Sequence, residues 1–255
     1  MKITLLGAGK LGRHLAVKLA HSGEQIIQIF SRKAEKAALA AEQTGATPCH
    51  RLEDILPGAD LYLLCLADDA IEEVAKTLRK ILPKDSFLAH TSGSQPSDLL
   101  GQDQERRGVF YPLQSFSPDK TPEWSEIPFC LYASQKEDEK LLLQLARKIS
   151  PKTYLLDDQQ RSELHLAAVF ANNFTNYLLS IAYERCEQHD IPFDLLHPLI
   201  LETARKAVNQ PPPAKHQTGP AVRNDQKTIR KHLQQLRQNP SLQKLYVLLT
   251  ENIRK

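Results

Sequence analysis

Residues 1–23, MKITLLGAGKLGRHLAVKLAHSG, begin with a short apolar run, Ile3 to Leu6. They pass at once through Gly7-x-Gly9-x-x-Gly12 and continue with Leu11, Leu15 and Leu19 at helical spacing. Alone, a G-x-G-x-x-G string says little. Set between a strand and a helix it predicts a dinucleotide-binding turn. Its glycines permit the tight turn, the close approach of backbone to a pyrophosphate, and close packing of helix on strand. The first N–H groups of the helix have no partner within it and favour the pyrophosphate charge. Gly7, Ala8, Gly9, Lys10, Leu11 and Gly12 are therefore expected to hold the pyrophosphate; the plainer alternative is a set of glycines that only turn a corner.

The next apolar run, QIIQIF (25–30), leads into Ser31-Arg32-Lys33. A dinucleotide without a 2′-phosphate usually meets an Asp or Glu here, bound to the ribose hydroxyls. A hydroxyl and two cations suit a 2′-phosphate instead, because arginine binds phosphate bidentately. The expected cofactor is NADP(H). A strand–helix rhythm follows: DLYLLCLA (60–67), a helix through AIEEVAKTLRKIL with Asp68 and Asp69 placed to cap it, SFLAH (86–90), GVFYPLQSF, PFCLYAS, the helix EDEKLLLQLARKI, and KTYLLD. Such alternation predicts an α/β fold with a doubly wound, Rossmann-type sheet over residues 1–156. Ligands sit beyond the carboxyl ends of strands in such sheets. Leu66 and Ala67, His90 to Gly93 with Ser92, and Tyr111 to Gln114 are therefore candidates for the nicotinamide pocket. His90 is also a candidate catalytic group, although each of these stretches could be ordinary loop chemistry.

From about residue 157 the pattern is helical to the end, so an all-helical C-terminal domain over 157–255 is expected, serving substrate binding or dimerisation. The stretch HLAAVFANNFTNYLLS (165–180) reads as a buried helix that nevertheless carries a histidine and three asparagines. At roughly 100° per residue, Asn172, Asn176 and Tyr183 lie within about 20° of His165. Such a stripe faces either a partner subunit, amide paired with amide, or a ligand cleft. In a cleft, His165 would act as the proton donor near neutral pH, and Asn172 and Asn176 would orient a carbonyl without adding charge. Downstream, PPPAKHQTGPAVRNDQ (211–226) stiffens the chain before Arg223, a candidate anchor for an anionic group. Two further helices, DQKTIRKHLQQLRQ and PSLQKLYVLLTENIRK, complete the domain.

Composition is that of an ordinary globular chain: 255 residues, 41% hydrophobic, 25% charged, net charge +3. Cys49, Cys65, Cys130 and Cys186 are scattered, with no C-x-x-C pair, which argues for a reducing compartment and against a structural metal. An apolar strand within two residues of Met1 leaves no room for a signal peptide, and no run reaches 18 apolar residues, so a cytoplasmic protein without a membrane span is expected. Residues 205–255 hold eleven Lys or Arg against Asp225 and Glu251. That basic part lacks interleaved aromatic platforms, so nucleic-acid binding is not expected; solvated helix faces or a phosphate or carboxylate ligand account for it.

With the glycine loop, Ser31-Arg32, HTSGS (90–94), YPLQSF (111–116), the Asn-bearing helix and TGPAVRND (218–225) in one order, the whole chain resembles a group of Rossmann-plus-helical proteins labelled NADP oxidoreductases and related to deazaflavin-coenzyme-dependent NADP oxidoreductases. More distantly it is similar to pyrroline-carboxylate reductases and β-hydroxyacid dehydrogenases. The resemblance implies NADP(H) and a helical domain that dimerises. β-Hydroxyacid dehydrogenases carry a lysine one turn before a catalytic asparagine; Ala168 and Val169 stand there in this chain, with His165 the nearest ionisable group. Hydride transfer to or from a small carbonyl, imine or alcohol is the leading expectation. A non-enzymatic NADP(H)-binding sensor acting through dimer contacts is the alternative.

Overall fold

The computed structural model describes residues 1–117 and 120–254. Its sheet has the order β3-β2-β1-β4-β5-β6-β7-β8. The strands are β1 (Lys2–Leu6), β2 (Gln25–Phe30), β3 (Thr47–Cys49), β4 (Leu61–Leu64), β5 (Leu88–His90), β6 (Arg107–Pro112), β7 (Phe129–Ala133) and β8 (Thr153–Leu155). The first six run parallel, β7 pairs antiparallel with β6, and β8 is parallel to β7. The expected doubly wound α/β sheet is what forms. β3 escapes sequence inspection because it is three residues long and contains Pro48. It is tolerated as the outermost strand, where a missing N–H breaks no ladder.

Burial follows the pattern of each run. β4 is buried at all four positions, as befits a central parallel strand covered on both faces. Helix α1 (Lys10–His21) turns Gly12, Leu15, Ala16 and Leu19 inward, a 3.6-residue stripe. These side chains join Ile3, Leu5, Leu61 and Leu63 in the core on one side of the sheet. On the other side, α3 (Asp68–Ile81) presents Ile71, Ala75 and Leu78 to Leu6, Tyr62 and Leu64. Fully burying one such aliphatic chain contributes about 1.5–3 kcal/mol. Helices α2 (Ala34–Glu42) and α4 (Lys136–Arg147) complete the covering layers. Asp68 and Asp69 do not cap α3; its N-cap is Ala67, and both acids lie in the first turn, where the helix dipole favours them.

Contact density divides the chain into two compact units, Met1–Asn176 and Tyr177–Lys255. The sheet ends at Leu155. Helix α5 (Asp158–Ala168) follows, opened by a capping box in which Asp157 accepts from Gln160 N–H and Gln160 reaches back to the Asp157 N–H. A π-helical turn, Val169–Phe174, leads into α6 (Thr175–Glu187). The second unit is helical, with α7 (His197–Asn209), α8 (Gln226–Gln235) and α9 (Pro240–Ile253), and a 2.8 Å bond from His232 to Tyr246 ties α8 to α9. No helix among the described residues is long and apolar enough to cross a membrane.

The stretch 165–180 is not buried as its composition suggests. Phe170, Phe174 and Tyr177 are all exposed, so the described residues leave these rings largely uncovered.

The glycine loop shows how tightly this fold is set. Gly7 sits at φ +115° with the Cys65 carbonyl oxygen 2.2 Å from where a Cβ would be, and a Cβ on Gly12 would lie 1.8 Å from the Gly7 carbonyl oxygen. Gly12→Ala should therefore destabilise the protein by about 3 kcal/mol, the cost of overpacking against rigid backbone. A Cβ on Gly9 meets nothing within 4 Å, so Gly9→Ala should cost at most about 1 kcal/mol. Denaturant melts of the two variants check the contrast.

Candidate active site

Strands β1, β4, β5 and β6 end on the same edge of the sheet, and two cavities lie among the loops that follow them. The first, of about 460 Å³, is lined by Gly7, Ala8, Gly9, Ser31, Arg32, Lys33, Lys36, Leu66 and Ala67, with Glu73 its one lining carboxylate. Helix α1 starts there without a side-chain cap and without an acid in its first turn. Its leading N–H groups are left for an anionic ligand. A dinucleotide fits this lining: backbone clearance at Gly9, a helix N-terminus for the pyrophosphate, and a hydroxyl with three cations for a 2′-phosphate. Lys36, one turn along α2 from Lys33, was legible in the sequence from its spacing alone. Lys10, Leu11 and Gly12 do not line the cavity. Gly12 serves helix packing, and Leu11 packs against the core.

The second cavity, of about 380 Å³, is lined by Tyr111, Leu113, Gln114 and Ser115 from the end of β6 and by His165, Asn172, Asn173 and their apolar neighbours from α5 and the π turn. Among the described residues, no Lys, Arg, Asp or Glu lines it. His165 Nδ1 and Tyr111 Oη lie 3.2 Å apart. A Cβ on Gly93 would fall 2.6 Å from both His165 Nδ1 and Tyr111 Cζ. The glycine of HTSGS is thus the gap in which the two side chains meet.

Helix α5 is fixed against the 93–97 segment by residues at i, i+3 and i+7, one face of a helix. Asp158 Oδ2 accepts from both the N–H and the hydroxyl of Ser97, each at 2.9 Å. Arg161, fully buried, donates to the Gln95 carbonyl and, at 2.7 Å, to Asp158 Oδ1. His165 closes the series beside Gly93. Burial works to raise the Asp158 pKa, but the bonds from Arg161 and Ser97 outweigh it and hold the carboxyl below its usual range.

Several expected site residues take other places. His90 is fully buried; its Nδ1 accepts from the Ser92 N–H at 3.1 Å and its Nε2 faces the Pro96 carbonyl at 3.3 Å. Burial, aided by the Arg161 charge, lowers its pKa to about 4. His90 is therefore a buried, neutral brace for the loop. Ser92 is buried as well, its hydroxyl accepting from the N–H groups of Ser94 and Gln95. Asp68 accepts from the Ser94 hydroxyl at 2.6 Å, which adds a further tie to this loop.

The asparagine stripe is also re-registered. The π turn inserts extra residues per turn between His165 and Asn176. Asn172 and Asn173 both line the cavity, whereas Asn176 does not. Arg223 lies exposed in the second unit.

A parallel sheet carrying a glycine-loop cavity on its carboxyl edge defines the class of dinucleotide-dependent oxidoreductases, and comparison with known proteins agrees. Residues 2–91 match the family described as NADP oxidoreductase, coenzyme F420-dependent, and residues 127–253 match a domain of unknown function. A solved Bacteroides fragilis protein that carries the provisional name NADP oxidoreductase is 39% identical, with 99% of this chain and 97% of that one covered, at a TM-score of 0.91. On that likeness the chain belongs to the same two-domain NADP oxidoreductase family. A pyrroline-5-carboxylate reductase of Coxiella burnetii shares the fold at 17% identity and TM-score 0.60, over 99% and 98% of the two chains. A curated glycerol-3-phosphate dehydrogenase [NAD(P)+] of Bacillus velezensis is 30% identical over 112 residues, 39% of this chain; the match spans 32% of that protein's length.

The α5 dock predicts a pH response. A carboxyl whose folded pKa is depressed adds stability above its unfolded value of about 3.9, and that stability is lost as pH falls through the folded value. Asp158→Ala should cost about 3 kcal/mol at pH 7 by leaving Arg161 buried without its carboxylate. Asp158→Asn should flatten the acid limb of the stability curve below about pH 4. Urea melts between pH 3 and 7 test both.

Proposed function

We propose that the protein is an NADP(H)-dependent oxidoreductase that moves hydride to or from a small carbonyl, imine or alcohol. Support comes from two cavities on one sheet edge: one at the glycine loop bordered by Ser31, Arg32, Lys33 and Lys36, and one lined, among the described residues, by His165 and neutral donors and acceptors. Bound NADPH supplies the hydride. His165 supplies the proton to the site, and Asn172 with Asn173 and Gln114 holds a substrate by neutral hydrogen bonds. The absence of Lys, Arg, Asp and Glu from the lining among the described residues favours a substrate whose reacting end is neutral, since an unpaired buried charge is costly. The family description that mentions coenzyme F420 covers residues 2–91 and none of the residues around His165, so it bears on the dinucleotide cavity and leaves the second substrate to the lining of the other.

A homodimer is part of this proposal. Helix α7 buries none of its residues, and Leu199, Leu201 and Val208 on it are exposed, Val208 at 78%. An apolar helix left uncovered in this way favours association with another copy. Phe170, Phe174 and Tyr177 add apolar surface of the same kind.

Calorimetric titration should give a clear preference for NADPH over NADH. In Arg32→Asp the NADPH Kd should rise about 10- to 100-fold with NADH nearly unaffected, the scale of one lost charge-assisted pair. Equal affinity for both nucleotides in the wild type would contradict the Ser31-Arg32 assignment. In sedimentation velocity the wild type should run as a dimer and Leu199→Glu/Val208→Asp as a monomer; a monomeric wild type would end the dimer proposal.

A further inference from the structure

Tyr111 is absent from the expected catalytic set, yet it lies within hydrogen-bond reach of His165 and lines the same cavity. Its hydroxyl lies 3.2 Å from His165 Nδ1, and the missing side chain at Gly93 makes that approach possible. We propose that Tyr111 is the catalytic acid and base that touches the substrate, and that His165 acts through it by replacing the proton it gives up. This rests on the oxidoreductase function proposed above.

The surroundings suit that division of labour. Burial, reinforced by Cys130 on β7 and Asp68 on α3 and opposed by Arg161 on α5, pushes the phenol up to about 12, so Tyr111 keeps its proton and donates a hydrogen bond throughout the neutral range. A donor of that kind polarises a carbonyl or imine without ionising beforehand. Arg161, one helical turn before His165, places a fixed positive charge behind the pair, where it favours the phenolate formed for an instant during transfer.

Carbonyl reduction moves one hydride and one proton to the substrate. As the carbon gains hydride with its electron pair, the C=O π pair moves to oxygen. That oxygen takes the Tyr111 proton, so the phenolic O–H bond breaks and the product O–H bond forms. The proton that a His165 imidazolium carries on Nδ1 then passes to Tyr111 Oη, leaving neutral imidazole, and solvent returns a proton to that imidazole after the product leaves. Oxidation of an alcohol runs the same transfers in reverse. Cofactor and solvent together supply the hydride and the proton, and no other reactant is required.

The test uses the full-length protein with NADPH and a panel of small aldehydes, ketones and cyclic imines. On the compound the wild type reduces, Tyr111→Phe should lower kcat at least about 100-fold, the scale of general acid catalysis, with NADPH affinity and melting temperature unchanged. His165→Ala should lose less and should recover with added imidazole, whereas imidazole should do nothing for Tyr111→Phe. A wild type that turns over while Tyr111→Phe keeps its rate overturns this assignment and leaves the oxidoreductase proposal standing, with His165 as the direct donor. A wild type that oxidises NADPH with no compound in the panel overturns both.

Discussion

The structure around the site depends on one contact: a helix face laid along an extended loop. Asp158, Arg161 and His165 meet Ser97, Gln95 and Gly93 in turn, so each step along α5 is matched by two residues of loop. Arg161 is the hinge of the arrangement. It is 1% exposed, and its Nε and Nη1 find no partner among the described protein atoms. Such a guanidinium is costly in itself. What it secures is position: with it the helix can slide neither along nor around its axis, and His165 is held against Tyr111. His90, neutral beneath the same loop, fixes the other side of the turn through Ser92 and Pro96.

The dinucleotide side follows from backbone rather than side chains. Gly7 and Gly12 are where they are because the Cys65 and Gly7 carbonyl groups leave no room for a Cβ, and Gly9 because nothing fills the space beside it. Parallel strands deliver this loop, Leu66 and Tyr111 to one sheet edge. The chemistry of that edge is therefore a consequence of strand direction. The cationic rim and the cavity at His165 are then separated only by which loop follows which strand.

Much of this was legible in the sequence. The glycine loop, Ser31-Arg32-Lys33 and the apolar runs encode local geometry, and local geometry has a readable period. The site's other half was not legible for three physical reasons. A π turn breaks the 100° step on which a helical wheel depends, so Asn173 rather than Asn176 joins His165 at the cavity. Burial decides between a catalytic and a bracing histidine, and a sequence does not show that His90 is closed off while His165 is open. The Arg161 dock pairs residues more than sixty positions apart. The i, i+3, i+7 spacing of Asp158, Arg161 and His165 was present, but nothing in it named Ser97, Gln95 and Gly93 as partners. The exposed apolar residues of 165–180 looked like core because periodicity reports an apolar face, not whether the chain covers it.

The central claim is that the two cavities form one active site. Its most direct measurement is a nuclear Overhauser experiment on the complex with NADP+, protein labelled at tyrosine and histidine. The account predicts transfer from the nicotinamide H4 proton to the Tyr111 ring and the His165 imidazole, lost in a sample in which Gly9→Val blocks the nucleotide cavity. NADP+ bound with adenine and ribose contacts at Ser31 and Arg32 but with no transfer to Tyr111 or His165 would contradict it.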